Sequence, residues 1–233
     1  LAEFSPDPVP ENPQPELFEI RLRHLLMMSS GFNEPYLMGA NRRAGVGAPD
    51  YVKYMLSRPV KVQPGSEFVY STADSILAGR MVEKAVGKRL SEYLYERFFE
   101  PLGQGFPIWE NCPQGHPIGG GGMFMTLSNM LKIGQVYLMD GKWKGQQLVD
   151  PAWIKEATAK QIETPNPGND IWVCGYGYQF WRNPYEDSYR ADGAYGQLTM
   201  VLPKKGLIVA IQCPESGDLN KVKPVMHELI LSL

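Results

Sequence analysis

The chain reads as an α+β protein. Three observations predict it. Apolar residues recur at helical spacing through most of the first 170 residues, three strand-like segments joined by short turns follow, and the C-terminal stretch returns to helical spacing. The predicted organisation is an extended lead-in at 1–16, a mainly helical lobe at 17–170, and an antiparallel sheet with a closing helix at 171–233, packed as one domain.

Each element has a local reason. Leu1 to Glu16 holds prolines at 6, 8, 10, 13 and 15, which fix φ and remove donors, so an extended polyproline-like lead-in is expected. Leu17, Phe18, Ile20, Leu22, Leu25 and Leu26 cluster at helical spacing and predict a helix over 16–29, ending near Ser29-Ser30-Gly31. Gly45 and Gly47 punctuate a loop. Asp50 can cap a short helix through Tyr51, Val52, Met55 and Leu56 before Pro59. Gln63-Pro64-Gly65 is a turn, with proline where φ is fixed and glycine where φ is positive.

Ile76, Leu77, Met81, Val82, Ala85 and Val86 predict a helix that stops at Gly87. Another opens near Ser91 and closes at Pro101-Leu102-Gly103. After the loop Gly119 to Gly122, a helix runs from near Thr126 to Asp140-Gly141, and Pro151 starts one more at its first turn. Tyr176 to Trp181, Ala194 to Leu202 and Leu207 to Gln212 are the strand-like segments, with turns at Asn183-Pro184 and Pro203 to Gly206. Their short connections favour an antiparallel meander. Leu219 to Leu233 carries Val222, Val225, Met226, Leu229, Ile230 and Leu233 on a face expected to pack on that sheet.

Composition narrows the functional classes. With 23 basic against 25 acidic side chains, the net charge of −2 gives no cationic surface for nucleic acid. The longest apolar runs, such as Leu207 to Ile211, fall far short of the roughly 18 residues that span a bilayer. Cys112, Cys174 and Cys213 are an odd set without short spacing, and His24, His116 and His227 stand singly, so neither a disulfide framework nor a metal site is expected. No cofactor motif is read. The first residue is Leu, no basic n-region precedes an apolar run, and the compartment is left unknown.

The chemistry concentrates at Glu67 to Asp74. Tyr70 lies at a loop-to-helix junction, where a phenol can shuttle a proton beside a nucleophile. No Ser-x-x-Lys pairing, which would supply that nucleophile, occurs in the 233 residues. Read from the residues alone, Tyr70 is equally an aromatic at a helix start, Gly119 to Gly122 a tight loop, Asp192 a base or a turn residue, and His24 a structural imidazole.

A resemblance orders these pieces. Ile20 to Leu26 with Ser29-Ser30-Gly31, then Pro64-Gly65 before Phe68-Val69-Tyr70-Ser71, then Gly119 to Gly122 with Met125-Thr126, and finally Gly193-Ala194-Tyr195-Gly196-Gln197 ahead of Pro203 resemble successive landmarks of the penicillin-recognising serine hydrolases. The branch suggested is that of class C β-lactamases, DD-peptidases, esterases and amide hydrolases. The resemblance implies a β-lactamase/transpeptidase-like fold and an acyl-enzyme mechanism, in which tyrosine and lysine relay the serine proton and backbone N–H groups hold the oxyanion.

It also implies roles. Tyr70 takes the catalytic tyrosine position, Thr72 stands where asparagine is usual, and Ala191, Asp192 and Gly193, with Tyr195, stand at the substrate-binding strand. Thr72 lacks the asparagine NH₂, and Ala191 replaces a group that binds the penicillin carboxylate, with Arg190 and Arg182 as nearby replacement cations. A small ester, amide or peptide substrate is expected over a β-lactam. By the family's order the nucleophile helix and N-terminal strands precede this segment. The chain is therefore expected to need a further segment, or another chain, to complete its fold and to be inactive and aggregation-prone alone. A non-catalytic binding or sensing protein of the same fold is the alternative.

Overall fold

The structure is a computed structural model that describes residues 9–38, 50–165, 170, 172–194, 196–213 and 219–233. Part of the lead-in, the Gly45 and Gly47 loop and Tyr195 lie outside the described residues. Two compact units emerge, Leu1–Phe124 and Met125–Leu233. The division falls well before the expected boundary at 170, because the two helices after residue 125 belong to the unit that contains the sheet.

In the first unit the stretch expected as one helix is two short pieces. A 3₁₀ turn, Pro15–Glu19, and the helix α1, Leu22–Leu26, are separated by Ile20 in an extended conformation (φ −67°, ψ 117°). That break lets Leu17, Ile20 and Leu25 all reach zero exposure in one core. The helix α2, Tyr51–Leu56, starts where Asp50 Oδ1 accepts from the Lys53 N–H at 2.9 Å, as the cap reading requires. The long helix α3, Thr72–Val86, ends at Gly87 in the left-handed region, whose N–H reaches Glu83 O. The helix α4, Leu90–Leu94, continues as a π-helical turn, Tyr95–Phe99. A two-stranded ribbon of β1, Ile108–Trp109, and β2, Met123–Phe124, follows.

The second unit is a sheet between helices. It opens with α5, Leu127–Leu138, capped by the Thr126 hydroxyl. A small hairpin of β3, Lys142–Trp143, and β4, Gln146–Gln147, leads to α6, Pro151–Thr158, capped by Asp150. The main sheet runs in sequence order through β5, Trp181–Arg182; β6, Tyr189–Gly193; β7, Gln197–Leu202; and β8, Leu207–Ile211, all antiparallel. The meander is as expected, but its strands are shifted. Tyr176 to Trp181 yields only a bridge and the start of β5, Tyr189 to Gly193 is a strand in its own right, and Ala194 falls in the turn before β7.

Alternation along the strands explains the layers. Leu198, Met200 and Leu202 of β7 and Leu207, Val209 and Ile211 of β8 meet Met226 and Ile230 of the closing helix α7, Leu219–Ser232. On the opposite face Gly134 of α5 lies against the sheet: a Cβ there would fall 2.7 Å from Ile208 Cγ2 and 3.1 Å from Thr199 Cγ2. The predicted apolar face of α7 is narrower than its pattern. Met226 and Ile230 are buried, whereas Val225, Leu229 and Leu233 are exposed, because the contact with the sheet takes in only one stripe. Among the described residues β8 forms one edge of the sheet.

Candidate active site

The Tyr70 segment is positioned by backbone. Gly31 O accepts from the N–H groups of Lys61 (2.8 Å) and Val62 (3.2 Å), Ser29 O from Gly65 (2.8 Å), and Met28 O from Val69 (2.8 Å). Residues 60–69 are thus stitched along 28–31, with Met28 and Gly31 both at positive φ to aim their carbonyls. The predicted turn at Gln63 is present, with Gly65 at φ 90° and Ser66 N–H donating to Gln63 O. Held this way, Tyr70 remains 36% exposed, its ring 6.5 Å from that of Phe68, one residue before the Ser71 N-cap of α3.

Behind it the environment is closed. Thr72 is buried, and its N–H and hydroxyl both donate to Met38 Sδ, at 3.3 and 2.9 Å. Ser71 Oγ donates to Tyr36 O. The glycine loop covers the same turn: a Cβ on Gly120 would lie 2.7 Å from Thr72 Cγ2 and 3.1 Å from Thr72 O, so only glycine permits the approach. Trp109 Nε1–H donates to Ile118 O (2.8 Å) and Gly121 O (2.9 Å), which pins that loop. Two landmarks separated by about 50 residues in sequence meet here.

Asp74, in the first turn of α3, is 1% exposed, and neither carboxylate oxygen has an aligned hydrogen-bond partner among the described residues. Burial pushes its carboxyl up to about 7, against the lowering influence of the Ser30 hydroxyl and N–H. Sequence reading missed it, since an acid in a helix's first turn ordinarily marks a solvated N-terminus. His24 is a packed residue: it is buried, its Nδ1 lies 3.3 Å from the Arg21 N–H, and burial lowers its affinity for a proton.

The strand residues lie in the second unit. Ala191, Asp192 and Gly193 form the end of β6, opposite Thr199, Leu198 and Gln197. Asp192, read from the sequence as a base or a turn residue, lies near the end of a strand. Arg190 and Asp192 share one face and Ala191 and Gly193 the other. Arg190 is not a free cation for substrate. Buried beneath the strand, it donates through Nε to Asp192 Oδ2 (2.7 Å) and through Nη1 to Trp172 O, Arg182 O and Asn183 Oδ1, with the rings of Trp172 and Trp181 at 5.8 and 5.6 Å. Arg182 Nη1 is likewise engaged, donating to Thr158 O at 2.6 Å. Both expected replacement cations are structural: between them they satisfy the carbonyls of Thr158, Trp172 and Arg182. No grouping of His, Cys, Asp and Glu among the described residues is arranged to hold a metal ion.

A helical unit that presents a tyrosine before a long helix, and a unit in which helices pack on an antiparallel sheet, make up the β-lactamase/transpeptidase-like class of folds. The chain belongs to the β-lactamase family, whose model, described as Beta-lactamase, matches residues 6–222. The family is that of the β-lactamase-like serine hydrolases. Lovastatin esterase of Penicillium rubens is 34% identical over 112 residues, which are 44% of this chain and 27% of that protein. The chain thus spans about a quarter of that curated relative. A penicillin binding protein from Bacillus halodurans superposes with a TM-score of 0.73 at 17% identity, covering 98% of this chain and 77% of the other. Simvastatin synthase from Aspergillus terreus gives 0.58 at 20% identity, covering 85% and 64%. At such identities these structures establish the fold alone.

Proposed function

We propose that this chain is part of a serine hydrolase that moves an acyl group from a small ester, amide or peptide through an acyl-enzyme, with Tyr70 as its acid–base element. In the complete site a serine oxygen attacks the carbonyl as its proton is relayed through Tyr70 and the lysine that pairs with the serine, and Tyr70 then passes a proton to the leaving oxygen or nitrogen. Backbone N–H groups at the end of β6 stabilise the oxyanion, and Ala191, Asp192 and Gly193, together with Tyr195, serve as substrate-binding residues. Since the 233 residues contain no Ser-x-x-Lys, the serine comes from a further segment or chain, and this chain alone is inactive.

The placement of Tyr70 carries the reading: a half-exposed phenol fixed by a backbone-stitched loop at the start of α3. Thr72 and Ala191 support esters and amides over penicillins, as neither offers a side chain to grip a β-lactam's amide or carboxylate. The esterase name of the Penicillium relative points the same way. One observation favours a second reading, a binding protein of this fold without turnover: the Thr72 hydroxyl is spent on Met38. Fluorophosphonate labelling of the full-length protein, with ester and chromogenic β-lactam assays, separates the two. Serine labelling with ester turnover exceeding β-lactam turnover is expected; no labelling and no ester turnover leaves only the binding reading.

A further inference from the structure

One buried group takes no part in the mechanism above, and its surroundings connect it to Tyr70. Asp74 is enclosed without an aligned partner for either oxygen, and the residue it faces, Ser30, lies in the 28–31 segment whose carbonyls hold residues 60–69. Met28 O, two residues before Ser30, accepts from Val69, the neighbour of Tyr70. On the other side Asp74 N–H donates to Ser71 O, which places the carboxyl on the turn that begins immediately after Tyr70. Both backbone approaches to the phenol therefore converge on Asp74 and Ser30.

We propose that Asp74 is a positioning residue for Tyr70, a proton-operated latch that closes the 28–31 and 69–74 segments when neutral and loosens them when ionised. The inference rests on the proposed role of Tyr70 for its functional consequence, but not for the latch itself. A neutral carboxyl is tolerated where it lies. Among the described residues, an ionised one in the same place has only the Ser30 donors for solvation, so it favours any opening that admits water.

The titratable groups facing α3 include Arg23 and His24 of α1, Tyr51, Lys53 and Tyr54 of α2, Glu92 and Tyr93 of α4, and His116 and Arg89 beside Glu83, and none of them is among the influences on the Asp74 carboxyl, which are burial and the Ser30 donors. The sign follows from linkage. The carboxyl binds its proton more tightly when enclosed (about 7) than when open (3.8), so the closed state is favoured fully below the lower value and loses that advantage as pH rises to about 7.

The test is amide hydrogen exchange at Val69 and Asp74, corrected for intrinsic rates, in the full-length protein at pH 5 and pH 8, alongside ester turnover. Wild type is expected to show at least tenfold lower protection of both amides at pH 8. Asp74→Asn, which keeps the shape and cannot ionise, should show no pH-dependent loss, and Ser30→Ala, which removes a donor to the ionised form, should enlarge it. Equal pH dependence in wild type and Asp74→Asn overturns the latch. Should Asp74→Asn fail to fold, an unaltered pH dependence in Ser30→Ala overturns it. A pH-dependent latch in a protein without ester turnover sustains this inference and refutes the role given to Tyr70, so the two failures are distinct.

Discussion

The two units bury an ionisable side chain in opposite ways. In the first unit Asp74 is enclosed with its oxygens unmatched, against a segment held by backbone hydrogen bonds. In the second, Arg190 is enclosed with a carboxylate, three further acceptors and two indole faces around it. A saturated buried ion rigidifies its surroundings, whereas a buried carboxyl without aligned partners leaves a local opening within thermal reach once it ionises. On the proposed reading, the β6 end serves as a fixed template and the Tyr70 turn as the part able to respond.

The comparison breaks most visibly at Arg190. Replacing it with Met strands Asp192 and the carbonyls of Trp172 and Arg182, and should cost about 3–5 kcal/mol of stability in urea unfolding, since one partner of a buried pair is lost. A change below about 1 kcal/mol would remove the template argument.

Gly120→Val tests the other half. Its Cβ would press on Thr72, and overpacking of this kind costs about 1–3 kcal/mol. Ester turnover of the whole protein should fall with it, while the same measurement in Gly87→Val, where a Cβ meets nothing within 4 Å, should show strain of the backbone without loss of turnover per folded molecule. Equal effects on turnover would separate the glycine loop from the site.

Smaller effects sharpen the contrast. Removing the N-caps Asp50 of the first unit and Thr126 of the second by alanine should cost about 1 kcal/mol each, showing that ordinary surface caps are alike in both units. Acid should act on the first unit through His116, whose Nδ1 meets Glu83 Oε2 at 2.7 Å and Arg89 Nη1 at 2.6 Å. Burial and then Arg80 lower its pKa from 6.5, so its contribution is present above that value and is lost as pH falls. His116→Gln should flatten that limb in a pH series of melting temperatures.

Much of this was legible from residue order. The cap at Asp50, the helix start near Thr126, the stops at Gly87 and Gly141, and the meander follow from short-range rules, because each depends on a few neighbouring dihedrals. What escaped was set by distant packing. The break at Ile20 exists to bury three side chains in a core assembled from several helices, and α5 joins the sheet because Gly134 permits close approach. The candidate site was half visible: Tyr70 stood out by its place among landmarks, while nothing in the sequence marked Asp74 as buried or Arg190 as other than a replacement cation. Burial, which reverses both, depends on residues 30, 172 and 183.

The account turns on Tyr70. In the full-length protein, Tyr70→Phe keeps the ring and removes only the hydroxyl, so ester turnover should fall about 10²-fold or more with an unchanged melting temperature, the usual worth of a positioned acid–base group. Turnover equal to that of the wild type in a folded Tyr70→Phe variant would contradict it.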